Sequence, residues 1–215
     1  MQTLAPDFYA RPVVDVAREL IGCTVEHDGC AGVIVETEAY HECEPACHAF
    51  VGLTPRTSTL FGEPGRVYVY RSYGVHALLN AVCEEEGVGA AVLIRALHPV
   101  EGIEPMRARR LAAAQRARRR RVPGRAPARQ RDLDLCSGPG KLTQALGIEL
   151  TENGSPLSGG PIAVRARAGD WLDPPIVQAT RVGITRAVEL PWRFCVDGSA
   201  HVSRPRPKAV AGTYL

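Results

Sequence analysis

Residues 66–97 read RVYVYRSYGVHALLNAVCEEEGVGAAVLIRAL. Three apolar runs stand out: RVYVYRSY (66–73), VHALLNAVC (75–83) and AAVLIRAL (90–97). Tyrosine, valine and isoleucine suit a pleated surface, so each run is expected to be a strand. The links between them are far too short for a parallel crossover, so the strands must pair antiparallel.

The surrounding chain extends this pattern. Cys23–Glu26 and Gly32–Glu38 read as two more strands, joined through His27-Asp28-Gly29, where Asp-Gly is a hairpin signal. Before them, Pro12 to Ile21 places Val13, Val16, Ala17, Leu20 and Ile21 on one helical face, with Pro12 at the start and Gly22 at the stop. Residues 51–65 read as loop. Pro99–Arg110 is expected to be a helix. Ser137-Gly-Pro-Gly-Lys141 opens another, with Ser137 as N-cap, Leu142, Ala145 and Leu146 on its apolar face, and Gly147 at its end. Later strands are expected at 161–166, 181–185 and 192–197. Strands and helices mix without a βαβ rhythm, so the class is α+β: a single domain over residues 1–215, a mostly antiparallel curved sheet flanked by helices.

Composition narrows the function classes. No run of 18 apolar residues exists, and the N-terminus MQTLAPDFYARPVVDV lacks the basic and apolar regions of a signal peptide. A cytoplasmic or nucleoid-associated protein is therefore expected. The 7 cysteines are irregularly spaced and include no Cys-x-x-Cys, which predicts buried apolar thiols rather than a disulfide framework. The net charge of +3 hides an asymmetry. Residues 107–131, RARRLAAAQRARRRRVPGRAPARQR, hold 11 arginines and no acid, leaving 15 basic against 23 acidic residues elsewhere. Such an insertion repels itself, resists packing and binds polyanions. It reads either as a solvated, disordered insertion or as a phosphate-contacting arm.

The chemistry concentrates in IVETEAYHECEPACHAF (34–50). His41, Cys43, Cys47 and His48 could suggest a metal, but a structural zinc site needs a second ligand pair and the sequence has none. On a strand, Glu36 and Glu38 share one face and Thr37 takes the other. A pair of carboxylates at a strand end can be a solvated terminus or can supply a general base. Tyr40 continues the alternation and His48 lies within loop reach, which favours the second reading. In YVYRSYG, Tyr68 and Tyr70 share a face, and Tyr73 precedes Gly74 at a turn beside Arg71, as a protruding aromatic wedge would.

Several blocks together resemble the alkyladenine (3-methyladenine) DNA glycosylase family of base-excision repair enzymes. They are IVETEAY (34–40), PACHA (45–49), TPRTSTLFGEPGRVYVY (54–70), SYGVHALLN (72–80), VLIRALHPVEGIEPM (92–106), DLCSGPGKLTQALGI (134–148), RVGITRA (181–187) and LPWRFCV (190–196). The resemblance implies a monofunctional glycosylase that flips a damaged purine from double-stranded DNA and hydrolyses its N-glycosidic bond. The family's substrates are alkylated purines, extending to deaminated ones such as hypoxanthine.

By position, the resemblance makes Glu38 the general base, Glu36 its neighbour and Arg95 the residue that positions water. Tyr40, His48 and Tyr70 would enclose the base, and Asn80 would stand against the 2-amino group of normal guanine. The backbone at Val182 and Gly183 would close the water site. Tyr73 would be the wedge on a protruding β-hairpin, beside Arg71. Ser137, Gly138 and Lys141 would meet phosphate. No metal or cofactor is implied, and a monomer is expected. With only Lys141 and Lys208 as lysines, and neither in a pocket motif, a Schiff-base lyase is disfavoured. Departures are His41-Glu42-Cys43 where Leu-Gly-Pro is common, Arg71-Ser72 where apolar residues are usual, and the long arginine block. A rival from another class is a nucleic-acid-binding module without catalysis, since a scaffold alone proves no chemistry.

Overall fold

The computed structural model describes residues 2–72, 74, 76–119 and 131–207. In chain order it runs through helices α1 (Pro6–Tyr9) and α2 (Val13–Glu19), then strands β1 (Thr24–His27) and β2 (Cys30–His41). Strands β3 (Val67–Ser72), β4 (His76–Val82) and β5 (Ala90–Glu101) follow, then helices α3 (Ile103–Arg119) and α4 (Pro139–Leu146). Strands β6 (Ala163–Arg165), β7 (Ile176–Ala179) and β8 (Arg193–Val196) complete it. All ladders are antiparallel, in the order β3-β4-β5-β2-β1-β6. The α+β class and the antiparallel sheet are thus as the sequence predicts.

Strand β2 organises the sheet. Strand β5 runs along one of its edges from Ala31 to His41. On the other edge β1 pairs with its first residues, and β8 pairs with Glu36, Thr37 and Glu38. The Asp28-Gly29 turn between β1 and β2 has φ of 45° and 69°, the left-handed pair that a tight two-residue hairpin requires. Where β5 passes Glu36 it carries one extra residue, Arg95, between Ile94 opposite Thr37 and Ala96 opposite Glu36. A bulge of this kind re-aims a side chain, and here it aims the arginine at the two glutamates.

Alternation along the strands separates two faces. One presents Val67, Val69, Leu79, Ala81, Val92 and Ile94 to the main core, with Val13, Val16 and Ala17 of α2 and Leu142, Ala145 and Leu146 of α4. Thr37 points to this side, donating to the Ala17 carbonyl of α2 at 2.7 Å. The other face carries a smaller cluster of Tyr68, Val82 and Ala91 under Cys47, Ala49 and Leu60, with Tyr40, Phe61 and Tyr70 packed against it. Cys47, Ala49 and Leu60 come from the 41–65 connection, which holds two 3-10 turns, His48–Val51 and Ser58–Phe61, where plain loop was expected. Six of the seven cysteines are buried thiols; Cys43 is exposed.

Four local expectations are corrected. Pro99 does not open a helix: β5 continues to Glu101, and α3 begins at Ile103. The proline is tolerated because it sits at a register shift, opposite Gly32. Ser137 is not the N-cap of α4. Gly138 is, with Pro139 in the first turn, and the Ser137 hydroxyl instead accepts from Lys141 Nζ at 3.1 Å. Residues 181–185 are not a strand, and the strand in that region is β7, before them. The arginine block is not uniformly unpacked either. Arg109 donates to the Ala145 and Leu146 carbonyls at the end of α4 and pairs with Asp28 at 2.6 Å. Residues 120–130 of the block, and Tyr73, lie outside the described residues.

Candidate active site

The cluster-bearing face of the sheet opens into a cavity of about 630 Å³. Its walls include Tyr40 from β2, His48 from the 3-10 turn, Tyr68 and Tyr70 from β3, Asn80 from β4, and Leu93 and Arg95 from β5. Val182 and Gly183 line another part, and Arg56, Arg71 and Arg186 also line it. Pro139, at the start of α4, borders it as well. The period-2 rule explains the convergence. Tyr68 pairs with Asn80, Asn80 with Leu93, and Leu93 with Glu38, so one row of side chains crosses four strands on one face.

At the inner end lie the two glutamates, both fully buried. Glu36 is saturated. Its Oε1 accepts from Arg95 Nε at 2.9 Å, Arg193 Nε at 2.8 Å and Ser203 Oγ at 2.9 Å, and its Oε2 accepts from the Ser203 N–H at 2.7 Å. Glu38 sits behind the wall where Tyr40, Arg95 and Val182 meet. Its Oε1 accepts the Val182 N–H at 2.7 Å, and its Oε2 accepts Tyr40 Oη at 2.8 Å and Arg95 Nη1 at 3.1 Å. Burial pushes the Glu38 carboxyl above the usual carboxylate range, although Arg95, the Val182 N–H and the Tyr40 hydroxyl all oppose the rise. A carboxylate held ready to take up a proton is the property a general base needs.

The aromatic walls are held as firmly. The Tyr68 and Tyr70 rings stack at 5.4 Å and 27°, and His48 meets Tyr70 edge-on at 4.6 Å. His48 Nδ1 lies 3.2 Å from Tyr68 Oη. Burial, and then the charge of Arg56, hold the imidazole below its usual pKa, which favours its neutral form. Asn80 Nδ2 donates to the Tyr68 and Leu78 carbonyls, which locks the amide in place. The cavity therefore offers flat faces, one fixed amide and a buried carboxylate behind one wall, a set suited to a planar heterocycle.

The sequence profile of the methylpurine-DNA glycosylases, the MPG family, matches residues 7–200. The chain belongs to this family. A Bradyrhizobium diazoefficiens protein is 50% identical over 201 residues, covering 94% of this chain and 90% of its own. One from Rhodopseudomonas palustris strain HaA2 is 51% identical over 198 residues, covering 92% and 89%. One from the archaeon Methanoculleus marisnigri is 47% identical over 207 residues, covering 94% and 99%. All three are provisionally named 3-methyladenine DNA glycosylases. The protein is thus a DNA glycosylase of the methylpurine class, a DNA-repair enzyme. No helix among the described residues is long and apolar enough to cross a membrane.

Of the site residues expected from sequence, the cavity of this glycosylase gathers Tyr40, His48, Tyr70, Arg71, Asn80, Arg95, Val182 and Gly183, with Glu38 directly behind. Ser137, Gly138 and Lys141 stand apart, at the start of α4 beyond Pro139. Sequence reasoning did not reach Ser203 or Arg193, which hold Glu36, nor Arg56 in the wall, nor Arg181 and Glu44 behind Tyr40, and it placed Tyr68 on a face with Tyr70 without assigning it to the wall. Arg193 had a usable signal, being a lone charge in the apolar run WRFCV. Glu44 had none. The unfamiliar His41-Glu42-Cys43 stretch is a turn: Glu42 Oε2 accepts the Gly89 N–H at 2.9 Å, and His41 Nδ1 accepts the Cys43 N–H at 3.0 Å.

Proposed function

We propose that the enzyme rotates a damaged purine nucleotide out of duplex DNA into this cavity and hydrolyses its N-glycosidic bond, with Glu38 as general base. The observation that carries the reading is the Glu38 carboxylate, buried behind the aromatic cavity and anchored on three sides. Its Oε1 accepts one hydrogen bond from the described residues, which leaves a lone pair for water. In the step, the water oxygen bonds to C1′ as the C1′–N bond breaks. The bonding pair leaves with the base, and the water proton passes to Glu38. An alkylated purine such as 3-methyladenine is cationic and departs as a neutral molecule, so little acid catalysis is required. The tyrosine faces favour such a cation by stacking. Hypoxanthine, a neutral base, is a harder leaving group and is the proposed second class.

Arg95 would place the water and the adjacent phosphate. Asn80, fixed by its two hydrogen bonds, would not yield to the 2-amino group of an undamaged guanine. Tyr73, on the link between β3 and β4, would fill the gap left in the duplex, where unstacking costs a few kcal/mol. Arg71, Gly183 and the Ser137–Lys141 segment would meet the DNA backbone. Lys141 is not among the residues lining the cavity, which supports a hydrolase without lyase chemistry. The enzyme would work as a monomer, on DNA in the cytoplasm or nucleoid.

The test uses duplexes carrying one 3-methyladenine, 1,N6-ethenoadenine or hypoxanthine. Glu38→Gln should release base at least about a hundredfold more slowly, the size of a general-base contribution, while binding the lesion duplex as before. Release at the wild-type rate would remove Glu38 from the role.

A further inference from the structure

The guanidinium of Arg181 lies behind the cavity wall with its carbon 4.6 Å from the Tyr40 ring centroid and 5.4 Å from that of Trp192. Its side chain is fully buried. Nη1 donates to the Ala39 carbonyl at 3.0 Å and to Glu44 Oε1 at 2.6 Å, and Nη2 donates to the Ala187 carbonyl at 3.3 Å. Glu44 in turn accepts the Ala46 N–H through Oε2 at 2.7 Å, which fixes it in the turn after β2. One planar cation thus ties the end of β2, the 41–47 turn and the 181–187 segment together. The residue beside it, Val182, gives its N–H to Glu38. The contact with Tyr40 is electronic as well as mechanical. A cation held against an aromatic ring draws π-density towards itself, so the ring becomes a poorer host for a second cation. The Glu44 carboxylate offsets part of that charge.

We propose that Arg181, paired with Glu44, is a positioning residue that also sets the balance between cationic and neutral purines by polarising Tyr40 from behind. The inference rests on the reading of the cavity as the base pocket. With the cation in place, Tyr40 offers a less electron-rich face, which handicaps cationic alkylated bases relative to neutral ones such as hypoxanthine. This arrangement lets one pocket handle both classes, because the tyrosine wall is held back from serving cations alone.

Single-turnover release from 3-methyladenine and hypoxanthine duplexes tests this on four proteins beside wild type. Arg181→Met removes the charge and keeps most of the volume. Both rates should fall as Tyr40 and Val182 loosen, and the ratio of cationic to neutral release should rise about three- to tenfold, the range of one cation–π contact. Arg181→Lys keeps the charge but loses the planar clamp, so both rates should fall at an unchanged ratio. Glu44→Gln leaves the cation uncompensated and should move the ratio the other way. A ratio constant across all three would overturn the proposal and reduce Arg181 to a structural clamp. If Arg181→Met does not fold, the opposite shift in Glu44→Gln still decides. Glu38→Gln is the fourth protein: its release at the wild-type rate would overturn the pocket reading itself, a different failure from a constant ratio.

Discussion

Glu36 and Glu38 are chemically identical, two residues apart on one strand, and differ in everything their surroundings impose. Glu36 accepts four hydrogen bonds from Arg95, Arg193 and Ser203, which tie it into the core. Removing it should be a stability lesion. Glu36→Ala strands two buried arginines, and chemical denaturation should report a loss of about 3–5 kcal/mol. Glu38 instead should control the pH profile. It accepts a proton only when ionised, and its pKa is raised. Release of hypoxanthine should therefore fall as pH drops through a value above the ordinary carboxylate range, with one proton taken up. The limb should persist in His48→Asn; its disappearance there would assign the limb to the imidazole. Strand alternation alone made it legible that the two glutamates share a face. What distinguishes them was not legible, because Arg193 and Ser203 arrive from the far end of the chain and only the tertiary fold brings them to Glu36.

Elements were legible where periodicity or turn chemistry is strong, as in α2, the Asp28-Gly29 hairpin and the β3–β5 meander. They were missed where a short apolar run has two possible uses. RVGIT alternates like a strand, but its Val182 N–H serves Glu38 and its arginine serves Ala39 and Glu44, so β8 is met by β7 instead. The junction between β5 and α3 shows how tightly neighbouring elements constrain each other. Gly102 has φ of 69°, and a Cβ there would lie 2.5 Å from the Gly29 carbonyl oxygen and 2.7 Å from Cys30 Sγ. Gly102→Ala should thus combine left-handed strain with a backbone clash, a loss of about 2–4 kcal/mol. Gly29 has the same φ of 69° with no atom within 4 Å of the added Cβ. Gly29→Ala should show the strain alone, about 1 kcal/mol. Equal losses in urea titrations of the two variants would mean that the hairpin gives way freely at Gly102.

Across the whole molecule, charge is divided between the fold and one segment. Outside residues 107–131 the chain carries 15 basic and 23 acidic residues, so most of it should be repelled by a phosphate backbone. The cavity lining supplies Arg56, Arg71 and Arg186, but the largest positive reserve is the arginine block. That block has two parts. Arg107 pairs with Asp132 at 2.7 Å, Arg109 with Asp28, and Arg110 with Gln144, so these three belong to the fold. Replacing them would confuse folding with binding. The informative variant changes Arg116, Arg118, Arg119, Arg120, Arg121, Arg125 and Arg129 to glutamine. If the block is a phosphate-contacting arm, the slope of log affinity against log salt should shrink by about 0.9 for each lost contact, and affinity should fall equally for damaged and undamaged duplex. Release from a saturated complex should stay at the wild-type rate, because saturation takes the loss of affinity out of the measurement. An unchanged salt slope would make the block an idle insertion and leave the lining arginines, with the start of α4, to hold the DNA.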